Sequence, residues 1–299
     1  MSLFEKIRRH GVAGSARKAQ ILMQRKSGWT AWRYRSVPHY ANPTAVELET
    51  IERDLIKLGV VINDYTPPVE GFKKFNNEKW FPSDYHGGLS GGVWEEKLLE
   101  HWISSERLGL MDYSPKDIFV DVAAASSPWA LSLRERKGIS AYAIDLCIVG
   151  ERYRHLPYYR VENATKTSFE KESVKGASLH CAYEMFMGED DTQFIHEAAR
   201  ILQPGGKVVI LPLYTHTHYC AYSTPEYFGQ GCSDLGAKEY VRMDCDGVPS
   251  SRKYNAEMLK RRVLDPIENE GMQYNLMVLR NKEALSSNIY CHFILEITR

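Results

Sequence analysis

The spacing of apolar positions changes period several times along the chain, and each change marks an element. Val46, Leu48, Ile51, Leu55 and Leu58 recur at helical spacing and predict a helix over 44–58, stopped by Gly59. From 63 to 92 no period survives. That stretch reads as a loop rich in Pro, Gly and aromatics, with a glycine-rich tip at 85–92. Leu98, Leu99, Trp102 and Ile103 then predict a helix over 93–108, ended by Gly109. Ile118, Phe119, Val120 and Val122 form a short apolar run suited to a parallel strand buried on both faces. Four small residues follow, Ala123 to Ser126, and Pro128 sits where the first turn of a helix tolerates it. That helix carries Trp129, Leu131 and Leu133 and stops at Gly138, before a second strand over 141–144 that finishes on Asp145.

The alternation continues to the C-terminus. Strands are predicted at 159–161, 177–183 and 207–214, with a helix at 191–202 and a Pro-Gly-Gly turn at 204–206. Residues 215–250 show no regular period and read as an irregular excursion on the substrate side. A helix at 254–269 and two strands at 273–279 and 289–297 close the chain. The short link between the last two makes them an antiparallel pair. Small residues at a strand-to-helix turn let a ligand approach the backbone, and an acid at the next strand tip suits the two hydroxyls of a ribose. The pattern therefore predicts a nucleoside-cofactor site at the carboxyl edge of a parallel sheet.

Composition narrows this only slightly. Apolar residues at 43% and charged residues at 25% of 299 are ordinary globular values. The net charge is zero, but residues 1–36 hold nine Lys or Arg against a single acid, Glu5. That net +8 fits a peripheral membrane surface or an acidic protein face, including a second copy in a homodimer. Nucleic acid is disfavoured, because the rest of the chain is net acidic. The six cysteines form no C-x-x-C pair, which predicts a reducing, cytoplasmic setting, with membrane association through the basic segment as the variant.

Several sites in the right order resemble the class I S-adenosylmethionine-dependent methyltransferases. VDVAAASSP at 120–128 is similar to the first cofactor motif, Asp145 to the ribose-binding acid, and Asn163-Ala164 to the acidic-Ala pair facing adenine. ARILQPGGKVVILPLY at 199–214 is the most specific match. The resemblance implies an α/β fold: a doubly wound, mostly parallel seven-stranded sheet, Rossmann-like, with an antiparallel last strand and a helical or irregular N-terminal extension. It divides the chain into an extension and lid over 1–92 and a methyltransferase domain over 93–299. It implies S-adenosylmethionine as cofactor, held by Asp121, Ala123, Ala124, Ala125, Ser126, Asp145, Leu146, Asn163, Ala164, Cys181 and Ala182. A weaker resemblance to methyltransferases of polysaccharide biosynthesis implies a hydroxyl of a glycan or related small molecule as acceptor. Alanine and serine stand at 123, 125 and 127, where the family usually has glycine. That departure motivates a non-catalytic binding module as a rival. A nicotinamide oxidoreductase is a second rival, weakened by the missing G-x-G-x-x-G.

An alcohol acceptor needs a base near the transfer point. His216 and His218, just after the strand at 207–214, are the candidates, with two surface histidines as the plain alternative. A metal pair is a third reading, but no third ligand is evident from the spacing, so no metal is expected. Tyr214, Tyr183 and Glu184 are expected to face cofactor or acceptor, and Tyr85, His86 and Gly88 to close over the site. His101 and His180 read as packing residues.

Overall fold

The computed structural model describes residues 20, 23, 28–148, 151–230 and 234–299. Most of the basic segment on which the membrane and partner expectations rest, and Cys232, therefore lie outside the described residues.

The strands run in the order β1 (Ile62–Tyr65), β2 (Ile118–Val122), β3 (Ser140–Asp145), β4 (Tyr159–Val161), β5 (Val174–His180) and β6 (Leu202–Leu213). Then come β7 (Cys220–Ser223), β8 (Lys238–Val241), β9 (Ser251–Lys253), β10 (Gln273–Leu279) and β11 (Phe293–Thr298). Eight of these form one sheet in the order β1-β10-β11-β6-β5-β2-β3-β4. β6, β5, β2, β3 and β4 are parallel neighbours, and β11 is antiparallel to both β6 and β10. The sheet is thus the expected mostly parallel one with its antiparallel C-terminal strand.

Period-two alternation explains the two layers. Val120, Leu179 and Ile210 join one buried cluster, while Phe119, Val209 and Leu211 join another on the opposite face. Helix α1 (Ala45–Lys57) and α5 (Asp190–Ile201) bring Ile51, Leu55, Phe194 and Ile195 to the first face. The second is covered by α2 (Val69–Asn77), α3 (Trp94–Leu108) and α4 (Trp129–Lys137), through Phe72, Phe75, Leu99, Trp102 and Trp129. Each large apolar side chain so buried contributes about 1.5–3 kcal/mol. The ends of α1 follow the sequence. Thr44 and Glu47 form a reciprocal capping box at its start.

Three expectations change. The stretch 63–92 contains β1, α2 and a short 3-10 turn over Tyr85–Gly91, and Phe72, Phe75, Trp80 and Phe81 are core residues. β1 pairs with β10, so the sheet has eight strands and crosses the boundary drawn at 92. INDY escapes a periodicity reading because a four-residue edge strand has only its two end residues half-buried. The excursion at 215–250 holds β7 and β8, which form the small sheet β8-β7-β9 with a strand just beyond it; all three are too short to show a period. β5 ends at His180, so Cys181 to Tyr183 lie beyond the strand, at the sheet's carboxyl edge.

Candidate active site

The turn after β2 keeps the backbone shape that glycine usually provides. Ala123 and Ala125 have φ of 54° and 48°, in the left-handed region. Such a conformation costs a residue with a Cβ about 1–2 kcal/mol. Bonds from neighbouring strands hold it in place. Ala124 N–H donates to the Ile144 carbonyl at 3.0 Å, and Ala125 N–H to Asp145 Oδ2 at 2.8 Å. Tyr159 on β4 donates its hydroxyl to the Ser127 carbonyl at 2.6 Å.

Two clefts meet at this turn. The larger, of about 370 Å³, is lined by Ala123, Ala125, Ile144, Asp145, Leu146, Glu162, Asn163, Ala164, Thr165, Cys181, Ala182, Met185, Phe186 and Asp190. It collects eight of the eleven expected cofactor residues, from four strand ends; Asp121, Ala124 and Ser126 do not line it. Asp145 accepts one backbone N–H on each oxygen, from Ala125 and from Cys147, which leaves lone pairs on both for ribose hydroxyls. Asn163 lines the same cleft. Its Oδ1 accepts from the Thr165 N–H and hydroxyl at 2.9 and 3.0 Å, so its NH₂ is the group left to face a ring nitrogen. Ile144, Ala164 and Phe186 supply apolar walls for a flat base.

The second cleft, of about 210 Å³, takes in Asp121, Ala124, Ser126, Tyr85 and His86 and shares Ala123, Ala125 and Cys181 with the first. It also takes in His101 and His180. Their ring centroids lie 4.1 Å apart, with the planes tilted by 57°. Ser104 donates its hydroxyl to the His101 carbonyl at 3.0 Å, so the Ser104 oxygen accepts from His180 Nε2–H at 2.9 Å. His180 Nδ1 lies 3.4 Å from Asp121 Oδ1. Asp121 Oδ2, His101 Nδ1 and His180 Nδ1 are buried with no hydrogen-bond partner. Burial, reinforced by the His180 ring, holds His101 well below the usual histidine range, so it is neutral; its Nε2 lies 3.0 Å from the Tyr85 hydroxyl. The floor is a buried ion pair, Lys97 Nζ on both Glu100 oxygens at 2.9 and 3.0 Å. Cys181 Sγ–H donates to Glu100 at 3.0 Å, and burial pushes its thiol well up, so it is no thiolate nucleophile.

The remaining candidates divide. Tyr214 reaches the site through its hydroxyl, 3.2 Å from Cys181 Sγ. Gly88 is required for shape: φ is +62°, and a Cβ would lie 2.2 Å from the Ser83 carbonyl oxygen. Tyr183 and Glu184 line neither cleft. Tyr183 is turned into the core and donates to the Asp191 carbonyl at 2.9 Å. Glu184 is buried, with its pKa raised by that burial. His216 and His218 line neither cleft; they stand at the start of the small sheet beside Tyr40 and Tyr240.

His101 and His180 were the residues sequence reasoning set aside. The signal lay in α3, where Glu96, Lys97, Glu100, His101 and Ser104 make a polar stripe at helical spacing beside the apolar one, and all five are buried. A helix with two stripes, both inside, has polar work to do in the interior.

Residues 120–210 match the family model of a methyltransferase domain. That segment carries the turn, Asp145, Asn163 and Cys181. The match takes in 91 of the 299 residues and makes that segment similar to a methyltransferase domain. No curated protein matches the chain. Among solved structures, it is similar to the geranyl diphosphate C-methyltransferase of Streptomyces coelicolor A3(2), at 15% identity over 78% of this chain and 98% of that one, TM-score 0.39. A geranyl diphosphate methyltransferase in complex with sinefungin is 16% identical over 67% and 78% of the two chains, TM-score 0.39. A methyltransferase from Methanosarcina mazei is 13% identical over 62% and 94%, TM-score 0.38. Among the described residues, no helix is long and apolar enough to cross a membrane.

Proposed function

We propose that the protein moves a methyl group from S-adenosylmethionine in the larger cleft to a hydroxyl of a glycan or related small molecule entering the smaller one. The observation that carries this reading is the group of three unpartnered buried polar atoms, on Asp121, His101 and His180, beside a cofactor-sized cleft. Native interiors rarely leave such atoms without partners, and a ligand that supplies the partners accounts for them.

The cofactor supplies a sulfonium-bound methyl, already activated for in-line displacement. The chain's own work is alignment and proton removal. His180 Nδ1 takes the acceptor's hydroxyl proton, and the Asp121 carboxylate stabilises the imidazolium that results. Ser104 fixes the tautomer. The Tyr85 hydroxyl and the neutral His101 orient the acceptor oxygen, and Tyr85 and His86 limit access of water. His180 thus takes the part first given to His216 and His218. The hydroxyl acceptor rests on this base, and the glycan class on the resemblance of the turn and of β6.

Calorimetry with S-adenosylmethionine, followed by mass spectrometry of a panel of glycans and small alcohols, tests the reading. Binding is expected, and Asp145→Asn should weaken it by about 10- to 100-fold through lost charge-assisted bonds. His180→Gln should lower turnover by about 10²–10⁴-fold with cofactor affinity little changed. No binding at near-millimolar cofactor would remove the methyltransferase reading. Full turnover in the His180 variant would remove the base.

A further inference from the structure

We propose that His216, His218 and Cys220 form a binding site for a zinc-class transition-metal ion, separate from the methyl-transfer clefts. The three residues alternate in sequence, with a bend at Thr217 and His218 between the first and the last. One ligand atom from each lies within 4.8 Å of the other two. Both imidazole Nδ1 atoms lie close to the Thr217 hydroxyl oxygen, at 3.2 and 3.3 Å, so the two ring edges face one small volume; the hydroxyl carries one proton, serves one ring at a time, and turns aside when an ion binds. His218 Nε2 is 2.7 Å from the Tyr240 hydroxyl, an outer contact of the kind that orients a ligating imidazole.

The donor set selects the metal. Two imidazoles and a thiol suit zinc or another borderline-soft ion and exclude magnesium and calcium, which take oxygen. Ligands of a tetrahedral zinc stand about 3.5 Å apart, so the three side chains close by about 1 Å on the ion. Three protein ligands leave a fourth position for water or a small anion. Coordination replaces the Cys220 S–H bond by a sulfur–metal bond, and the proton leaves to solvent. Cys220 begins β7 and is buried between β8 and β9. His216 N–H donates to the Tyr254 carbonyl at 2.8 Å, just after β9. An ion here ties the chain leaving β6 to the small sheet. Its place in the fold is that of a clamp on the 215–250 excursion.

The full chain, stripped with a chelator, should be titrated with Zn²⁺ and with Co²⁺ as spectroscopic probe. Expected are one ion retained per chain after dialysis, a sulfur-to-cobalt charge-transfer band in the near ultraviolet, and a rise in Tm with Zn²⁺. Cys220→Ser should abolish the band and weaken retention by about 100-fold or more. His218→Gln serves as the second variant if the serine protein folds poorly, and should lower retention likewise. No retained ion, or retention and a cobalt band that both survive either substitution, would overturn the site. None of these readouts uses methyl transfer, so the result stands apart from the proposed activity.

Discussion

Two regions of this molecule bury charge, and they treat it in opposite ways. In one, Arg252 and Arg262 enclose Asp191, with Arg252 also on Asp234, and the Arg252 and Asp191 side chains are fully buried. Every polar atom finds a partner. Arg262 Nη2 meets Asp191 at 2.7 Å, the Tyr254 hydroxyl donates to the same carboxylate at 2.7 Å, and Arg252 Nη2 donates to the Gly188 carbonyl at 2.7 Å. In the other, Asp121 and His101 lie equally deep with the half-buried His180 beside them, and the three leave three buried atoms without a hydrogen-bond partner. The first network joins α5 to β9 and leaves none of its buried side-chain atoms without a partner. The second borders a cavity. Burial of charge alone therefore identifies neither a scaffold nor a site; completeness of pairing separates them.

Breaking the complete network should have the largest effect. Arg252→Met leaves Asp234 and part of Asp191 uncompensated and should cost about 3–5 kcal/mol in denaturant unfolding. A loss under about 1 kcal/mol would mean that the network is ornamental. Next comes Glu96, on the α3 stripe. Burial and then Glu100 push its pKa up to about 8, while Oε2 accepts the Tyr290 and Cys291 N–H groups. The folded state thus holds a proton that the unfolded state has lost above its ordinary carboxylate value. That contribution is complete at acid pH and is lost as pH rises from about 4.5 to about 8. Glu96→Gln keeps the acceptor oxygen, so it should flatten the decline and add about 2–4 kcal/mol at pH 9, with little change at pH 5. Unfolding curves across pH decide this, and parallel curves for the two proteins would refute it.

Asp121→Asn probes the incomplete side. It removes a buried charge without a full set of partners, so stability should hold or rise by up to about 1 kcal/mol. Turnover should still fall by about 100-fold, because the imidazolium loses its counter-charge. A large fall in stability would place Asp121 with the scaffold instead. The smallest effect is expected at the turn. Ala123→Gly or Ala125→Gly relieves a positive φ and should be neutral or stabilising by up to about 1 kcal/mol, with cofactor affinity within a few-fold. Destabilisation of 2 kcal/mol or more would show that the methyl groups pack against something the strain argument ignores.

What the sequence disclosed follows the same division. The parallel strands announced themselves as β-branched runs, and the helix ends as Gly109 and Gly138. The residues gathering at the larger cleft were legible because each sits at a strand end fixed by those runs. β1 and the small sheet were hidden by shortness, since four residues cannot show a period against noise. The placement of His101 against His180 was hidden for a different reason. It depends on which turn of α3 crosses the end of β5, a tertiary fact with no local signature. Only the polar stripe hinted at it.

The pairing of β1 with β10 reaches further than the count of strands. A shortened chain beginning at 93 would look like the whole catalytic unit on paper. It would also strip four of the seven residues of β10, Leu276 to Leu279, of their neighbour on one flank. Backbone amides left open in such a row invite another polypeptide to add itself there. Anyone expressing the fragment should expect sticky, self-associating material, and a start before residue 62 is the safer cut.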